Sequence, residues 1–125
     1  MNEYEIAVNI ADTYMRTMTD GDYDAVVALY ADDARLEDPV GNDILHGREA
    51  ISAFYHGIGD IDLNLRRTGP VRFANREMVF PFECVSSDGT DTVKVDIIDH
   101  FVLNDDNLIT SMRAFWGPGN MSVLE

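Results

Sequence analysis

At 125 residues the chain is the size of one ordinary domain. Its 46% hydrophobic content, with aromatic and β-branched residues along the whole length, is enough for a sizeable core and excludes a disordered acidic tail. A formal net charge of -14 repels phosphate backbones and anionic lipid, which argues against nucleic acid or a membrane surface as partner and points to solubility and a neutral or cationic ligand.

No apolar run approaches the roughly 20 residues of a bilayer span, so no membrane insertion is expected. The N-terminus, Met1-Asn2-Glu3-Tyr4-Glu5, is acidic and lacks the hydrophobic run of a signal peptide. The single cysteine, Cys84, cannot form an internal disulfide, which fits a reducing cytoplasm. With no histidine or base near it in sequence, Cys84 reads as a small buried residue rather than a thiolate.

No linker, repeat or low-complexity stretch divides the chain, so residues 1–125 are expected to form one domain. Helical patterns fill the first half and strand patterns the second, the order of an α+β fold. Ile6, Ala7, Ile10, Ala11, Tyr14, Met15 and Met18 make one helix face at i, i+3, i+4 spacing. Asp20-Gly21-Asp22 closes that helix, with Gly21 as left-handed cap and Asp22 as the next N-cap. A short second helix carries Val26, Val27, Leu29 and Tyr30. Ala34 to Asp38 reads as a short strand, with Asp38 kept extended by Pro39. After the turn Gly41-Asn42-Asp43, a third helix is expected from Arg48 to about His56, ended by Gly57 and Gly59.

Strand patterns follow at Asp60–Arg67, Val71–Ala74, Met78–Val85, Thr92–Leu103 and Leu108–Trp116, the last closing the sheet. Gly69-Pro70, Ser86-Ser87-Asp88-Gly89 and Asn104-Asp105-Asp106-Asn107 separate them. Pro81, inside one of these runs, is expected at a bulge or an edge because it has no N–H for the ladder.

Strand alternation places Val93, Val95, Ile97, Asp99, Phe101 and Leu103 on one face of the longest strand. That face is apolar except for Asp99. A buried carboxylate without a partner costs several kcal/mol and takes up a proton instead, becoming a hydrogen-bond donor in an apolar cavity. A buried arginine or backbone amides could equally satisfy it. Asp38 shares a face with Ala34 and Leu36 and points inward by the same rule, although an Asp-Pro turn residue reads the same way. Tyr14 lies on the inner face of the first helix and Tyr55 on that of the third. Either can be an ordinary core residue, but a buried phenol needs a hydrogen-bond partner. Two inward tyrosines and two inward acids together suggest a polar cluster in an apolar ligand cavity.

The segments carrying these residues resemble the bacterial ketosteroid isomerases (steroid Δ5-isomerases), within the wider NTF2-like and SnoaL-like superfamily. Glu37-Asp38-Pro39-Val40-Gly41 and Ile98-Asp99-His100-Phe101 are the specific parts. Asp20-Gly21-Asp22, Ala28-Leu29-Tyr30-Ala31-Asp32-Asp33-Ala34, Phe54-Tyr55 and Ser111-Met112-Arg113-Ala114 extend the likeness over nearly the whole chain. That family is a standing example of carboxyl groups tuned to opposite protonation states. The resemblance implies a cone-shaped α+β fold, a curved, mostly antiparallel sheet around an apolar cavity behind three helices, and a homodimer paired through the outer sheet face. It implies Asp38 as general base and Tyr14 with Asp99 as donors to a dienolate oxygen. Tyr55 and Tyr30 would extend the donor network, and Phe82, Phe101, Met112 and Trp116 would line the pocket of a hydrophobic steroid substrate. No metal or cofactor is expected, and His46, His56 and His100 have no ligand spacing. Polyketide cyclases, epoxide hydrolases and non-catalytic binding or dimerisation modules of the same fold are the competing expectations.

Overall fold

The computed structural model describes residues 1–125. Helix α1 spans Glu3–Asp20. The Asn2 side chain accepts the Glu5 N–H at 2.8 Å, and Gly21, at φ 70°, ends the helix by donating to the Met18 carbonyl at 3.2 Å. That left-handed conformation favours glycine, as the Asp-Gly-Asp pattern required. The buried face of α1 includes Ala7, Ile10, Ala11, Tyr14, Met15 and Met18, as the helical spacing dictates. A short α2, Tyr23–Val27, starts from Asp22, whose side chain accepts the Ala25 N–H at 3.2 Å. Helix α3 is Arg48–His56, with Ile51 and Tyr55 buried.

The strands are β1 Tyr30–Glu37, β2 Leu45–His46, β3 Asp62–Arg67, β4 Arg72–Ala74, β5 Glu77–Ser87, β6 Thr92–Leu103, β7 Ile109–Phe115 and β8 Met121–Leu124. They form one mixed, mostly antiparallel curved sheet in the order β2-β1-β7-β6-β5-β3, with β4 also on β5 and β8 also on β6. The long pair β5 and β6 is the spine. Each carries two short partners in tandem on its far side, so each end of the spine has its own neighbours. The helices cover the inner face, and the core contains the buried side chains of α1, α3 and the inner positions of β5, β6 and β7.

Several expectations are corrected. Tyr30 does not continue the second helix; the chain turns at Ala28-Leu29 and Tyr30 opens β1, in register with Ile109. The apolar run Val26–Tyr30 fits either period over so short a stretch. The first strand is therefore longer than Ala34–Asp38, and Asp38 sits just past its end. The sheet does not close at Trp116. After a 3₁₀ turn at Pro118–Asn120, β8 pairs with Thr92–Val95. All four β8 residues are exposed and give no burial alternation to read. Leu45–His46 adds a two-residue strand on the edge beside β1.

Pro81 lies at neither a bulge nor an outer edge. It is paired with Ile98 in unbroken register. Its other side faces the gap between β3 and β4, where its carbonyl accepts the Thr68 N–H at 3.0 Å. A strand residue's N and C=O point the same way, so the missing donor falls opposite that gap. Gly69 crosses there so closely that a Cβ would stand 3.0 Å from the Pro81 ring.

Strands β1 and β7 form the parallel pair, with Glu37 beside Arg113. Arg113 Nε donates to the Glu37 carboxylate at 2.9 Å and the Gly41 N–H donates to it at 3.0 Å. These two contacts, the Gly41 amide first, hold the Glu37 carboxyl below the usual glutamate range. A carboxylate with a depressed pKa stabilises the fold above its unfolded-state pKa and loses that contribution as pH falls through the folded-state value. Urea unfolding of Glu37→Gln is therefore expected to show a shallower loss of stability than the parent between about pH 5 and about pH 3. Equal acid slopes would mean that this pair does not couple β1 to β7.

Candidate active site

The concave sheet face and helices α1 and α3 enclose an apolar cavity lined by 15 residues, 13 of them hydrophobic. Tyr14, Tyr55, Asp38, Asp99 and Trp116 supply its hydrogen-bonding groups, together with the Cys84 thiol.

Asp99 reaches the cavity because β6 alternates. It sits between Phe80 on β5 and Ala114 on β7, on the face that also carries Val95, Ile97 and Phe101. Only 1% of its surface is exposed, and neither carboxyl oxygen has a hydrogen-bond partner. Burial first, and then the charge of Asp38, push its pKa well above the ordinary aspartate range. An unpaired charge at this depth is costlier than a bound proton, so Asp99 is held as a neutral acid. Its O–H is then a donor with no partner in the protein.

Tyr14 stands beside it at the end of a phenol chain. The Tyr14 and Tyr55 hydroxyls are 3.2 Å apart, and the Tyr55 and Tyr30 hydroxyls 2.6 Å. Three elements meet in this chain: α1, α3 and the start of β1. Burial raises all three phenol pKa values well above the ordinary one, with the Asp99 charge the next contribution at Tyr14. The phenols stay protonated, and a three-hydroxyl chain leaves one O–H free to point onward. Phe101 fixes the Tyr14 ring from behind, edge-on at 5.5 Å between centroids.

Asp38 follows directly on β1, and the Val40 N–H ties its loop to the Ala114 carbonyl at 2.8 Å. The parallel pairing of β1 with β7 brings Trp116 to it, and the indole N–H donates to Asp38 Oδ1 at 3.0 Å. Burial raises the Asp38 pKa, and the indole hydrogen bond opposes part of that rise. Asp38 also borders a second, polar depression with Gly41, Asn42 and Asp43. The two acids thus occupy different surroundings: one is sealed and unpartnered, the other is hydrogen-bonded and next to a polar opening.

The structure gathers Tyr14, Asp38, Tyr55, Asp99, Phe82 and Trp116 on one cavity. Tyr30, Phe101 and Met112 stand one layer back. Tyr30 reaches the site through Tyr55, and Phe101 and Met112 pair across β6 and β7 as fully buried support. Met18, Phe54, Ile58, Leu63, Leu65 and Cys84 also line the wall. Two of these were readable: Met18 lies one helical turn from Tyr14, and Cys84 shares a strand face with Phe82. Burial lifts the Cys84 thiol to about 11, so it is a neutral wall residue. No group of three or more His, Cys, Asp or Glu is placed to hold a metal ion.

The SnoaL-like domain model matches residues 11–112. A steroid Δ-isomerase of Nocardioides simplex is 39% identical over 110 residues, covering 88% of this chain and 89% of that protein. The epoxide hydrolase LasB of Streptomyces lasalocidi is 25% identical across 93% of this chain and 49% of its own length. Among solved structures, the epoxide hydrolase/cyclase-like enzyme SalBIII, with a role in pyran ring formation in the polyether salinomycin, superposes with a TM-score of 0.89 at 25% identity. That match covers 99% of this chain and 100% of the other. RV0760c of Mycobacterium tuberculosis superposes with a TM-score of 0.87 at 24% identity, over 99% and 100% of the two chains, a likeness of fold. With the family model covering most of the sequence and a fold that superposes along the whole chain, the chain belongs to the SnoaL-like family.

Proposed function

We propose that this protein is a cofactor-free steroid Δ-isomerase that converts 3-oxo-Δ5-steroids to 3-oxo-Δ4-steroids through a dienolate. The observation that carries the reading is the sealed, unpartnered Asp99 carboxyl, which shares an apolar cavity with Tyr14 and with the indole-bonded Asp38. The 39% identity to a steroid Δ-isomerase supports it.

Removing a proton from the carbon beside a ketone drives negative charge onto the ketone oxygen. In this reading the ionised Asp38 takes the proton from the carbon between the ketone and the double bond. Tyr14 and neutral Asp99 donate to the oxygen as charge develops. Asp38 then returns the same proton to the far end of the dienolate, which moves the double bond into conjugation. Donors fixed in a water-poor cavity stabilise such charge without reorganising. Tyr55 and Tyr30 hold Tyr14 in place. Trp116 holds the Asp38 carboxylate and lowers its proton affinity, so that the group can both accept a proton and release it.

A homodimer in the cytoplasm is part of the proposal. Ile98, Phe115 and Leu124, which are 48%, 44% and 42% exposed, give the outer sheet face apolar side chains that a second copy would cover. The epoxide hydrolase and cyclase relatives supply the competing reading, an acid-assisted ring reaction on a polar substrate. A binding module without catalysis is the other alternative.

Following the ultraviolet absorbance of the conjugated enone separates them. Turnover of a 3-oxo-Δ5-steroid is expected to fall by about 10²–10⁴-fold or more in Asp38→Asn. A drop of about 10²–10³-fold is expected in each of Tyr14→Phe and Asp99→Leu. No enone from the folded parent protein would sink the isomerase reading.

The pH dependence has a fixed sign. The rate falls at low pH as Asp38 takes up a proton, with a midpoint above the ordinary aspartate value of about 3.9. It falls again as pH rises through the elevated Asp99 pKa, because an ionised Asp99 repels the dienolate. Trp116→Phe removes the contact that lowers the Asp38 pKa, so its acid midpoint is expected to move upward. A midpoint that stays or moves down in kcat/KM profiles counts against Asp38 as the base.

A further inference from the structure

The cavity continues well past the reacting groups, and its polarity changes along its length. On β6 the inner positions step from Asp99 to Ile97 to Val95. On β5 the facing positions are Phe80, Phe82 and Cys84. Leu65 of β3 completes the row with Cys84 and Val95. Four residues of strand place that row roughly 13 Å from Asp99, comparable with the length of a fused four-ring skeleton. The helical wall steps the same way, from Tyr14 to Met18 on α1 and from Tyr55 to Ile58 beyond α3.

Every strong hydrogen-bonding group therefore sits at one end. At the other end the lining is hydrocarbon, apart from the Cys84 thiol, which is a weak donor and acceptor. Beyond it, Met18 and Leu63 are shared with a polar depression bordered by Asp20, Asp60 and Asp62, all exposed. The carbonyl end of α1, which has no basic residue in its last turn, adds negative potential at the same rim.

We infer that this far end is a specificity filter, with Cys84 in its wall and Asp20, Asp60 and Asp62 at its rim. It accepts a ligand whose terminus remote from the carbonyl is hydrocarbon, disfavours a ketone or hydroxyl there, and rejects a carboxylate. The inference deepens the isomerase reading by naming its substrate class, and the two are tested separately. A buried ketone or hydroxyl against this wall leaves a polar group without a partner. A carboxylate at the rim meets like charge.

The test is a series of steroids with the same phenolic first ring, a non-reacting mimic of the dienolate. They differ only at the far ring: unsubstituted, ketone or carboxylate. Trp116, the only tryptophan and a cavity residue, reports binding by its fluorescence without any turnover. The unsubstituted compound is expected to bind about 10-fold or more tighter than the ketone, on the scale of hydrophobic-pocket discrimination. The carboxylate is expected to bind weakest. Cys84→Ser is expected to narrow the gap between hydrocarbon and ketone. The combined Asp20→Asn, Asp60→Asn and Asp62→Asn protein, or high salt, is expected to narrow the gap to the carboxylate. Equal affinities across the series, tightest binding of the carboxylate, or no binding of any member would overturn the inference. Binding in the expected order by a protein that forms no enone would keep the filter and remove the isomerase. Enone formation at equal kcat/KM for substrates with the same three far ends would do the reverse.

Discussion

Asp99 is buried among apolar side chains with no cation and no amide to meet it, and the rest of the site follows from that fact. A carboxylate there would need a counter-charge, and the cavity wall contains no lysine, arginine or histidine. The group keeps its proton instead and becomes a donor. The same dryness keeps the Tyr14, Tyr55 and Tyr30 phenols protonated, so the chain of hydroxyls also ends in a donor. Asp38 raises the Asp99 pKa further when it is ionised. The two acids are therefore coupled, and the charge of one favours the proton on the other.

The backbone makes this arrangement affordable. The β5–β6 spine sets Phe80, Asp99 and Ala114 side by side through ordinary register, without a bulge at the site. The parallel contact of β1 with β7 does the other half of the work, because it brings the loop after Glu37 to the end of β7 and so sets Asp38 against Trp116. Glu37 and Arg113 lie on the opposite face of that junction and neutralise each other there. The site residues thus come from rigid elements, with Asp38 alone carried on one short pinned loop.

Much of this was legible in the residues. Alternation alone placed Asp99 on an apolar face, and helical spacing placed Tyr14 and Tyr55 inward. The boundaries of α3 match the pattern from Arg48 to His56. What pattern could not supply was partners. Trp116 and Asp38 are far apart in sequence and meet through a parallel pairing that no local signal announces. Tyr30 sits where a short apolar run fits helix and strand equally well. The strand Met121–Leu124 is exposed throughout and has no hydrophobic period. Pro81 looked like a defect in a ladder because the gap between β3 and β4 is a long-range feature. Cys84 reads as a core residue because its neighbours in sequence carry no chemistry, whereas its neighbours in space form the cavity wall.

The fold is shared with epoxide hydrolase and cyclase-like proteins, so the reaction has to be read from the groups inside the cavity. Opening an epoxide with water calls for an activated water and a group that stabilises the departing alkoxide. A pair of acids can serve both needs when a cation or a second polar side chain holds the water between them. Here Arg113 is turned to the outer face, held by Glu37 and stacked over Phe115 at 5.2 Å, and it contributes nothing to the cavity. The wall around Asp38 is Trp116, Phe54 and Ala114, with the indole N–H as the one donor to its carboxylate. On its cavity side Asp38 meets a broad apolar face on which a flat hydrocarbon can lie, and its polar opening toward Gly41, Asn42 and Asp43 lies outside that face. That apolar face, in a cavity without a cation, supports the proposed proton movement between two carbons of a bound ring system, and it is the physical ground on which an isomerase is proposed for this scaffold.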